Sequence, residues 1–282
     1  MSDAERVFDR LDRLLDRLEQ LIPEQPMTEP DWSRRAYRWQ GRQLLPVENM
    51  DRVDPDSLLH IERQAELLER NTEQLLADQP ANNALLWGAR GTGKSSVVKS
   101  LMTRFEDSDL CLVEVAKKDS ETLPELIALL GGDKRHYIVY MDDLSFEADD
   151  ESYKSLKAVL EGSIQAQPRN LVIYATSNRR HLMPESMKDN LDSRMEDGQL
   201  HPSDAIEEKV SLSDRFGLWL SFHPFTQAQY LDVVELAMKQ LGLTMDEQTT
   251  TEAIRFATQR GSRSGRIARQ FAISQLGMKK DA

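Results

Sequence analysis

The order of apolar and polar positions predicts strands that alternate with helices over the middle of the chain. Five short, nearly continuous apolar runs predict buried strands, with the ranges 84–87, 110–116, 136–141, 171–175 and 217–222. Between these runs apolar residues recur at three- and four-residue steps, which is the spacing of one helix face. Buried strands that alternate with helices indicate an α/β fold, in which a five-stranded parallel sheet lies between helices.

The N-terminal part of the chain has two different patterns. Residues 4–22 place apolar side chains on one face of an amphipathic helix, which would pack either on its own domain or on a partner helix. Residues 23–53 are polar, contain prolines and carry Trp32, Tyr37 and Trp39 among basic residues. We expect this second segment to be an extended arm that wraps around another surface.

Helix signals mark the remaining boundaries. Asp54 followed by Pro55 is typical of a helix N-terminus, and this helix is predicted to run to about Leu76. The last part of the chain predicts only helices, near residues 226–241, 248–260 and 263–277. The chain is therefore expected to divide into an N-terminal helix and arm, an α/β domain and a small helical domain, at residues 1–53, 54–224 and 225–282.

Composition and charge limit the classes of function. Cys111 is the only cysteine, which excludes an internal disulfide and a cysteine-based zinc site. The sequence contains no long apolar stretch, so we expect a cytoplasmic protein without a membrane partner. The net charge of −12 argues against unaided binding of nucleic acid, although residues 251–282 carry seven basic residues against two acidic ones.

Residues 88–95, Gly-Ala-Arg-Gly-Thr-Gly-Lys-Ser, form a phosphate-binding pattern between a predicted strand and a predicted helix. In such a GxxxxGK[ST] loop the glycines let backbone N–H groups point at phosphates. The lysine reaches the β- and γ-phosphates and the serine hydroxyl contacts Mg²⁺, roles that fall to Lys94 and Ser95. The residues expected to surround the phosphates are Gly88, Ala89, Arg90, Gly91, Thr92, Gly93, Lys94, Ser95 and Ser96.

A second candidate site follows the predicted strand at residues 136–141, where two acidic residues come directly after the apolar run. An aspartate at this position beside a phosphate-binding loop holds Mg²⁺, and this role is predicted for Asp142. The next residue is usually a glutamate that polarises the attacking water. Here it is Asp143, which is one methylene shorter, and Glu147 is the alternative base.

A third motif extends these two into a family resemblance. The strand at residues 171–175 leads into Thr-Ser-Asn at residues 176–178 and is expected to lie between the other two motif-bearing strands. This order is typical of the class of P-loop ATPases that includes the AAA+ family. Residues 213–217, Ser-Asp-Arg-Phe-Gly, resemble the AAA+ arginine-finger box. Residues 265–269, Gly-Arg-Ile-Ala-Arg, resemble the sensor-2 motif of the AAA+ helical lid.

The four motifs occur in the AAA+ order over roughly residues 46–277. In detail the chain resembles a bacterial AAA+ family labelled domain of unknown function 815, in the stretches PANNALLWGARGTGKSSVVKSL, MDDLSFE, YATSNRRHL, EEKVSLSDRFGLWLSF and SGRIARQF. The resemblance implies a P-loop AAA+ core with a small C-terminal helical lid, and Mg²⁺-dependent hydrolysis of ATP. The family has no assigned substrate.

The resemblance implies a role for each matching residue. Asn178 is expected to act as sensor 1, which hydrogen-bonds the attacking water or the γ-phosphate. Arg215 is expected to be an arginine finger donated to a neighbouring subunit's nucleotide. Arg266 is expected to act as sensor 2, with Arg269 as the alternative one turn later. A guanidinium suits both roles because it is always charged and can neutralise several phosphoryl oxygens.

The resemblance also implies an adenine pocket, a subunit interface and an assembly. The pocket is expected around Leu59, His60 and Ile61. Residues 179–181, Arg-Arg-His, line a subunit interface or are simply solvated. A finger that acts in trans implies a homo-oligomeric ring, such as a hexamer. Residues 183–208 form a longer link than is usual between sensor 1 and the finger.

Three classes of function stay open. The first is an ATP-hydrolysing oligomer that remodels an unidentified macromolecular client. The second is a nucleic-acid-associated ATPase of the initiator or loader type, to which the basic lid and the aromatic arm would contribute. The third is a slow switch that binds ATP and signals through its shape. The loop at residues 116–119 lacks an aromatic residue, which argues against threading of a protein through a pore.

Overall fold

The computed structural model of the chain describes residues 30–146, 151–161, 168–180, 182, 194–196, 199–201 and 213–278. Its strands are β1 (Ala36–Gln40), β2 (Gln43–Pro46), β3 (Ala84–Gly88), β4 (Leu110–Val115), β5 (His136–Met141), β6 (Leu171–Ser177), β7 (Arg194–Glu196), β8 (Gln199–His201) and β9 (Leu218–Phe222). Its α-helices are α1 (Glu62–Leu76), α2 (Lys94–Arg104), α3 (Leu123–Gly131), α4 (Glu151–Glu161), α5 (Gln227–Gln240), α6 (Glu247–Gln259) and α7 (Gly265–Met278).

Two predicted segments are wholly or largely outside the described residues. The amphipathic helix at residues 4–22 belongs to the part that the structure does not describe. Of residues 183–208, only β7 and β8 are described, and these two short strands pair with each other in antiparallel fashion.

Seven strands form one sheet in the order β2-β1-β4-β5-β6-β3-β9. Six of them are parallel, and β2 at one edge pairs antiparallel with β1. The five predicted strands are all present, and the predicted α/β fold is confirmed. The predicted number of strands is wrong, because the sheet has seven rather than five. As expected from the motifs, β6 lies between β5 and β3.

The two additional strands come from the segment that was predicted to be an extended arm. In β1 the side chains of Tyr37 and Trp39 are buried. Those of Arg38, which lies between them, and of Gln40, which follows Trp39, are exposed. This alternation is the signature of a strand with one buried face. The indole N–H of Trp39 donates to the hydroxyl of Thr122 at 2.8 Å, which satisfies the polar atom of a buried ring. These two aromatic rings therefore belong to the core and cannot stack on nucleic acid.

Helices cover both faces of the sheet. Ile138 and Val139 are neighbours in β5, but their side chains enter different apolar clusters because successive strand residues point to opposite faces. The cluster around Val139 includes Leu126 of α3, and the cluster around Ile138 includes Leu68 of α1 and Val98 of α2. Complete burial of one such side chain stabilises the fold by roughly 1.5–3 kcal/mol.

The predicted helix from Asp54 to Leu76 is interrupted in the structure. Asp54 caps a short 3-10 turn at Pro55–Ser57, and α1 begins only at Glu62. His60 lies between them with a φ of 64°, in the left-handed region, which a right-handed helix cannot pass through. The prediction of one continuous helix is therefore wrong, and the interruption directs Leu59 and Ile61 toward the loop that follows β3.

Helices α5, α6 and α7, which we call the lid, have an apolar cluster of their own. Tyr230 and Val234 of α5 pack in it against Ala253 of α6 and Phe271 of α7. A reciprocal capping box between Thr226 and Gln229 begins α5. Within the residues that the structure describes, none of the helices combines the length and the apolar character that crossing a membrane requires.

At the start of β5 the imidazole of His136 lies between two carboxylates. Its Nδ1 is 2.9 Å from Oδ1 of Asp109, and its Nε2 is 3.2 Å from Oδ1 of Asp78. Burial opposes the charged imidazolium, but the hydrogen bonds with both carboxylates outweigh burial and raise the pKa of His136. The protonated ring therefore links β5 to the loops that follow α1 and α2.

We predict that this link stabilises the fold less as the pH rises. A group whose pKa is raised by folding stabilises the folded state fully below its unfolded-state pKa, about 6.5 for histidine. That contribution is lost as the pH rises through the raised folded-state pKa. Urea unfolding at about pH 6 and about pH 8.5 should therefore show a larger difference between wild type and His136→Gln at the lower pH. An equal difference at both pH values would contradict the charged link.

Candidate nucleotide-binding site

A cavity of about 790 Å³ lies between the carboxyl ends of the central strands and the lid. Four parts of the chain form its wall: the turns before α1, the loop between β3 and α2, the ends of β5 and β6, and helices α5 and α7. In open α/β sheets, ligands bind at the carboxyl ends of the strands. Of the residues predicted for the site, those in the wall are Leu59, Ile61, Arg90, Gly91, Thr92, Gly93, Lys94, Ser95, Ser96, Asp142, Asp143, Asn178, Arg266 and Arg269, whereas Gly88, Ala89, His60 and Arg215 are not part of it.

Close backbone packing holds the loop between β3 and α2. Gly88 has a φ of 136°, and a Cβ added there would lie 1.9 Å from the carbonyl oxygen of Phe222 in β9. Gly93 has a φ of 102°, and a Cβ added there would lie 2.8 Å from Cδ1 of Ile61. Glycine is therefore required at Gly88 by conformation and by space, and at Gly93 by conformation, since the end of the Ile61 side chain can move. The loop leads directly into α2, whose first residue is Lys94.

The ammonium group of Lys94 is nearly buried, because the residue is only 7% exposed. Its Nζ donates to the carbonyl oxygens of Gly88 and Ala89, at 2.8 and 2.7 Å, and to Oδ1 of Asn178, at 3.1 Å. Burial lowers the pKa of Lys94, while the charges of Asp143 and Asp142 oppose that effect. The ammonium thus has neutral hydrogen-bond acceptors, and phosphate oxygens would be stronger ones.

The carboxylate of Asp142 receives two hydroxyl groups on one oxygen. Its Oδ1 accepts from Oγ of Ser95 at 2.8 Å and from Oγ1 of Thr176 at 2.6 Å. The side chain is open to the cavity, yet enough protein surrounds it for burial to favour the neutral acid. Hydrogen bonds led by that from Thr176 outweigh burial and lower the pKa of Asp142. Asp142 is therefore ionised at neutral pH.

The oxygen atoms of Ser95 and Asp142 suit Mg²⁺, which prefers hard oxygen ligands and keeps several positions for water and phosphate. In the part of the chain that the structure describes, no group of three or more His, Cys, Asp or Glu residues could hold a metal ion by itself. The two oxygen ligands of Ser95 and Asp142 would leave the other positions of the ion to water and phosphate oxygens.

Asp143 has an unusual backbone conformation. Its φ is 52°, in the left-handed region, and its N–H donates to Oγ1 of Thr176 at 2.9 Å. Its carboxylate accepts a hydrogen bond from the side-chain amide of Asn178. The sequence-predicted base and sensor 1 are thus in direct contact. Glu147, the alternative base, lies outside the described residues, so the choice between the two acids stays open.

The lid touches the loop between β3 and α2 directly. The N–H of Gly265, the first residue of α7, donates to the carbonyl oxygen of Gly91 at 2.9 Å. Arg266 and Arg269 both line the cavity from α7, so the structure does not separate the two sensor-2 candidates. A second link joins the lid to the turn before α1, because Nε2 of His60 lies 2.8 Å from Oδ2 of Asp232.

Arg215 is placed differently from the other predicted site residues. It precedes β9 and is absent from the described wall of the cavity. Its Nη2 lies 3.0 Å from Oε1 of Glu161 at the end of α4, and 45% of its side chain is exposed. Arg180 places its guanidinium 5.5 Å from the centre of the Trp87 ring. His181 lies outside the described residues.

Thr176 lies in the wall of this cavity, although the sequence motifs predict no role for it. Its hydroxyl contacts both Asp142 and Asp143, although the residue is only 1% exposed. A signal for it was present, because residues two apart in a strand point to the same face. Once Asn178 was expected to face the phosphates, Thr176 could have been expected to point the same way.

Comparison with known proteins identifies the family. The family described as a protein of unknown function (DUF815) matches residues 33–279. The chain belongs to this family. None of the curated proteins matches the chain.

Solved structures show the same fold. A point mutant of RuvB from Thermotoga maritima is similar with a TM-score of 0.52 and 11% identity, over 76% of this chain and 61% of that one. The Orc1 protein of Aeropyrum pernix in complex with DNA is similar with a TM-score of 0.52 and 18% identity, over 80% of this chain and 62% of that one. The fold of this DUF815 member is that of AAA+ P-loop ATPases. It spans less than two thirds of the length of either protein.

We predict that Gly88→Ala destabilises the fold more than Gly242→Ala. Both glycines have a positive φ, but a Cβ at Gly242 would meet no atom within 4 Å, whereas one at Gly88 would overlap the backbone of Phe222. Overpacking costs about 1–3 kcal/mol beyond conformational strain. The free energy of unfolding in urea should therefore fall by that additional amount in Gly88→Ala. Equal losses in the two variants would show that the loop does not pack against β9 as described.

Proposed function

We propose that this DUF815 member binds ATP with Mg²⁺ in the cavity between the sheet and the lid, and hydrolyses it. The observation that carries the proposal is the convergence of a buried lysine, a serine hydroxyl and an ionised aspartate at one end of this cavity. These groups belong to Lys94, Ser95 and Asp142. Lys94 and Ser95 follow the loop after β3, and Asp142 follows β5, 47 residues after Ser95. This set matches the requirements of a metal-bound triphosphate.

The roles follow from the contacts. Lys94 would exchange the carbonyl oxygens of Gly88 and Ala89 for phosphate oxygens, which accept more strongly from an ammonium. Ser95 and Asp142 would hold Mg²⁺, which when bound neutralises charge on the phosphates. Asp143 would orient the attacking water, and Asn178, already bonded to both Lys94 and Asp143, would align that water with the γ-phosphate.

The other end of the cavity suits a nucleobase. Leu59 and Ile61 line it from the α/β part, and Val233 and Leu236 line it from α5. Flat apolar walls of this kind bury a ring and leave polar groups to fix its orientation. His60 does not line the described wall, since its side chain is bonded to Asp232. Of the three residues expected around adenine, Leu59 and Ile61 thus support the assignment.

The position of Arg215 supports an assembly of identical subunits. Its exposed guanidinium lies away from its own cavity, so it is placed to act on the nucleotide of another copy. Head-to-tail contacts of this kind form rings when the rotation between copies closes. We therefore propose a homo-oligomeric ring with the active sites between subunits. A boundary between the α/β part and the lid at residue 224 and a cytoplasmic location are part of the same proposal. A boundary at residue 53 is not, because β1 and β2 belong to the central sheet.

The client is proposed to be a macromolecule that the ATPase cycle remodels. Nucleic acid is a second candidate, because the lid end of the chain is basic and the similar Orc1 structure is a complex with DNA. The net charge of −12 and the burial of Tyr37 and Trp39 count against it. Turnover measured with and without duplex DNA distinguishes the two. Stimulation by DNA that is lost at higher salt would favour the nucleic-acid function.

We predict that Lys94→Ala lowers the affinity for ATP by about 100-fold or more. Two charge-assisted hydrogen bonds to phosphate together are worth roughly 3 kcal/mol, and each 1.4 kcal/mol corresponds to a factor of ten. Calorimetric titration with Mg-ATP measures the effect. Lys99→Ala is the matched control, since Lys99 lies on the same helix and pairs with Asp51. Wild-type affinity in Lys94→Ala would refute the proposed phosphate site.

We predict that Arg215→Ala binds ATP normally but hydrolyses it about 10³-fold more slowly, which is the effect of removing an arginine finger. Turnover per wild-type subunit should rise with protein concentration, because isolated subunits lack the finger. Mixing Arg215→Ala with Asp143→Asn should restore some turnover, since each variant supplies what the other lacks across one interface.

Glu161→Gln is the control for this experiment, because it removes the same ion pair and keeps the guanidinium. It should retain turnover. A rate independent of concentration, together with no recovery in the mixture, would exclude the finger in trans and leave a slow monomeric switch.

A further inference from the structure

One hydroxyl group, that of Thr176, touches both acidic residues of the site. Its Oγ1 is 2.6 Å from Oδ1 of Asp142 and 2.9 Å from the backbone nitrogen of Asp143. Thr176 lies near the end of β6, and only 1% of the residue is exposed. The side chain of Thr176 is therefore less exposed to the cavity than the two carboxylates. Thr176 would affect a bound nucleotide through these two acids.

The direction of both hydrogen bonds is determined by counting protons. A backbone N–H can only donate, so the hydroxyl of Thr176 must accept from Asp143. The hydroxyl carries a single proton, and an ionised carboxylate can only accept. That proton is therefore committed to Asp142. Oδ1 of Asp142 then accepts from both Thr176 and Ser95, which fixes the rotation of the carboxylate.

The second bond holds a backbone conformation that is costly by itself. Asp143 has a φ of 52°, and a non-glycine residue in the left-handed region is less stable by about 1–2 kcal/mol. A turn of this kind persists only where the surrounding structure restrains it. Further restraints come from β6, because the N–H of Leu144 donates to the carbonyl of Thr176, and Oγ of Ser177 donates to the carbonyl of Leu144, both at 2.7 Å.

We propose that Thr176 is a positioning residue, whose hydroxyl sets the orientation of Asp142 toward Mg²⁺ and of Asp143 toward the attacking water. This inference rests on the proposed function. The inference adds that β6 and the turn after β5, which carries Asp142 and Asp143, act as one unit. The reason is that a single hydroxyl on β6 joins both acids. Loss of an outer partner of a metal ligand costs about 10–100-fold in metal affinity or activity.

The neighbouring residue provides a matched control. Ser177 is also buried, and its hydroxyl fastens the same turn through the carbonyl of Leu144 without contacting either acid. Thr176→Val removes the hydroxyl that touches the acids and keeps the β-branched shape. Ser177→Ala removes a hydroxyl that donates to the carbonyl of Leu144 and accepts from the N–H of Arg179, but that touches neither acid. Thr176→Ser restores the hydroxyl without the methyl group.

The test measures the affinity of the full chain for ATP in EDTA and in Mg²⁺, and turnover in Mg²⁺. Thr176→Val should keep its affinity in EDTA within about twofold. The increase in its affinity for ATP on going from EDTA to Mg²⁺ should be smaller than that of wild type by about tenfold or more. Its kcat should fall by about 10–100-fold, with a smaller change in KM. Thr176→Ser and Ser177→Ala should both stay within about threefold of wild type in each measurement.

The inference would be overturned if Thr176→Ser lost as much of the Mg²⁺-dependent gain in ATP affinity as Thr176→Val. It would also be overturned if Ser177→Ala lost as much of that gain as Thr176→Val. The third contradicting result is a Thr176→Val variant that retains the full gain and full turnover. If the valine variant fails to fold, Thr176→Ser still tests the hydroxyl, because a loss of about tenfold or more of the Mg²⁺-dependent affinity in that folded variant would also overturn the inference. Failure of the proposed function is distinguishable, because the wild-type chain itself would then show no Mg²⁺-dependent gain in affinity for ATP.

Discussion

The buried ammonium group of Lys94 is the charge around which the candidate site is arranged. A buried charge is costly unless hydrogen bonds satisfy it, and here two loop carbonyls and one side-chain amide do so. Because two of these acceptors belong to the loop that carries Lys94, the lysine folds the loop back on itself. The third acceptor, Asn178, ties the loop to the neighbouring strand β6. The site is thus held in shape by the group that is proposed to bind phosphate.

The hydrogen bonds that begin at Lys94 continue through the rest of the site. Asn178 accepts from Lys94 and donates to Asp143, whose N–H donates to Thr176. Thr176 donates to Asp142, and Asp142 also accepts from Ser95, the residue after Lys94. The series therefore returns to the helix on which it began. In such a closed network the geometry of each group depends on its neighbours, so a phosphate that draws Lys94 away would change the partners of Asn178 and Asp143 as well.

The features that could be predicted from the sequence are those set by local patterns. The apolar runs predict the five central strands, and the loop at residues 88–95 together with the acids after β5 predicts the site, because backbone geometry constrains which residues can serve there. Other features depend on contacts between distant segments. The segment with Trp39 is polar overall, which predicts an arm, although its residues alternate between buried and exposed in the structure. Its place beside β4 in the sheet is a long-range contact that no local pattern specifies.

Two further features illustrate the same limit. The interruption at His60 depends on a left-handed backbone conformation and on a bond to Asp232, which lies 172 residues further along the chain. Nothing in the local sequence is a helix stop signal, since histidine is common in helices. Thr176 has its role because β6 pairs beside β5, so that its hydroxyl meets the turn after β5. The sequence shows which side chains can form hydrogen bonds, but only the fold shows which partners His60 and Thr176 bond.

We propose above all that Lys94 and the groups around it form a site for the phosphates of Mg-ATP. The most direct test is a crystal structure of the chain with Mg²⁺ and a non-hydrolysable ATP analogue, in which the distance from Nζ of Lys94 to the phosphate oxygens is measured. We predict a distance of about 3 Å to a β- or γ-phosphate oxygen, with the bonds to Gly88 and Ala89 broken. An analogue bound elsewhere, or a lysine that still donates to both loop carbonyls beside a bound triphosphate, would contradict it.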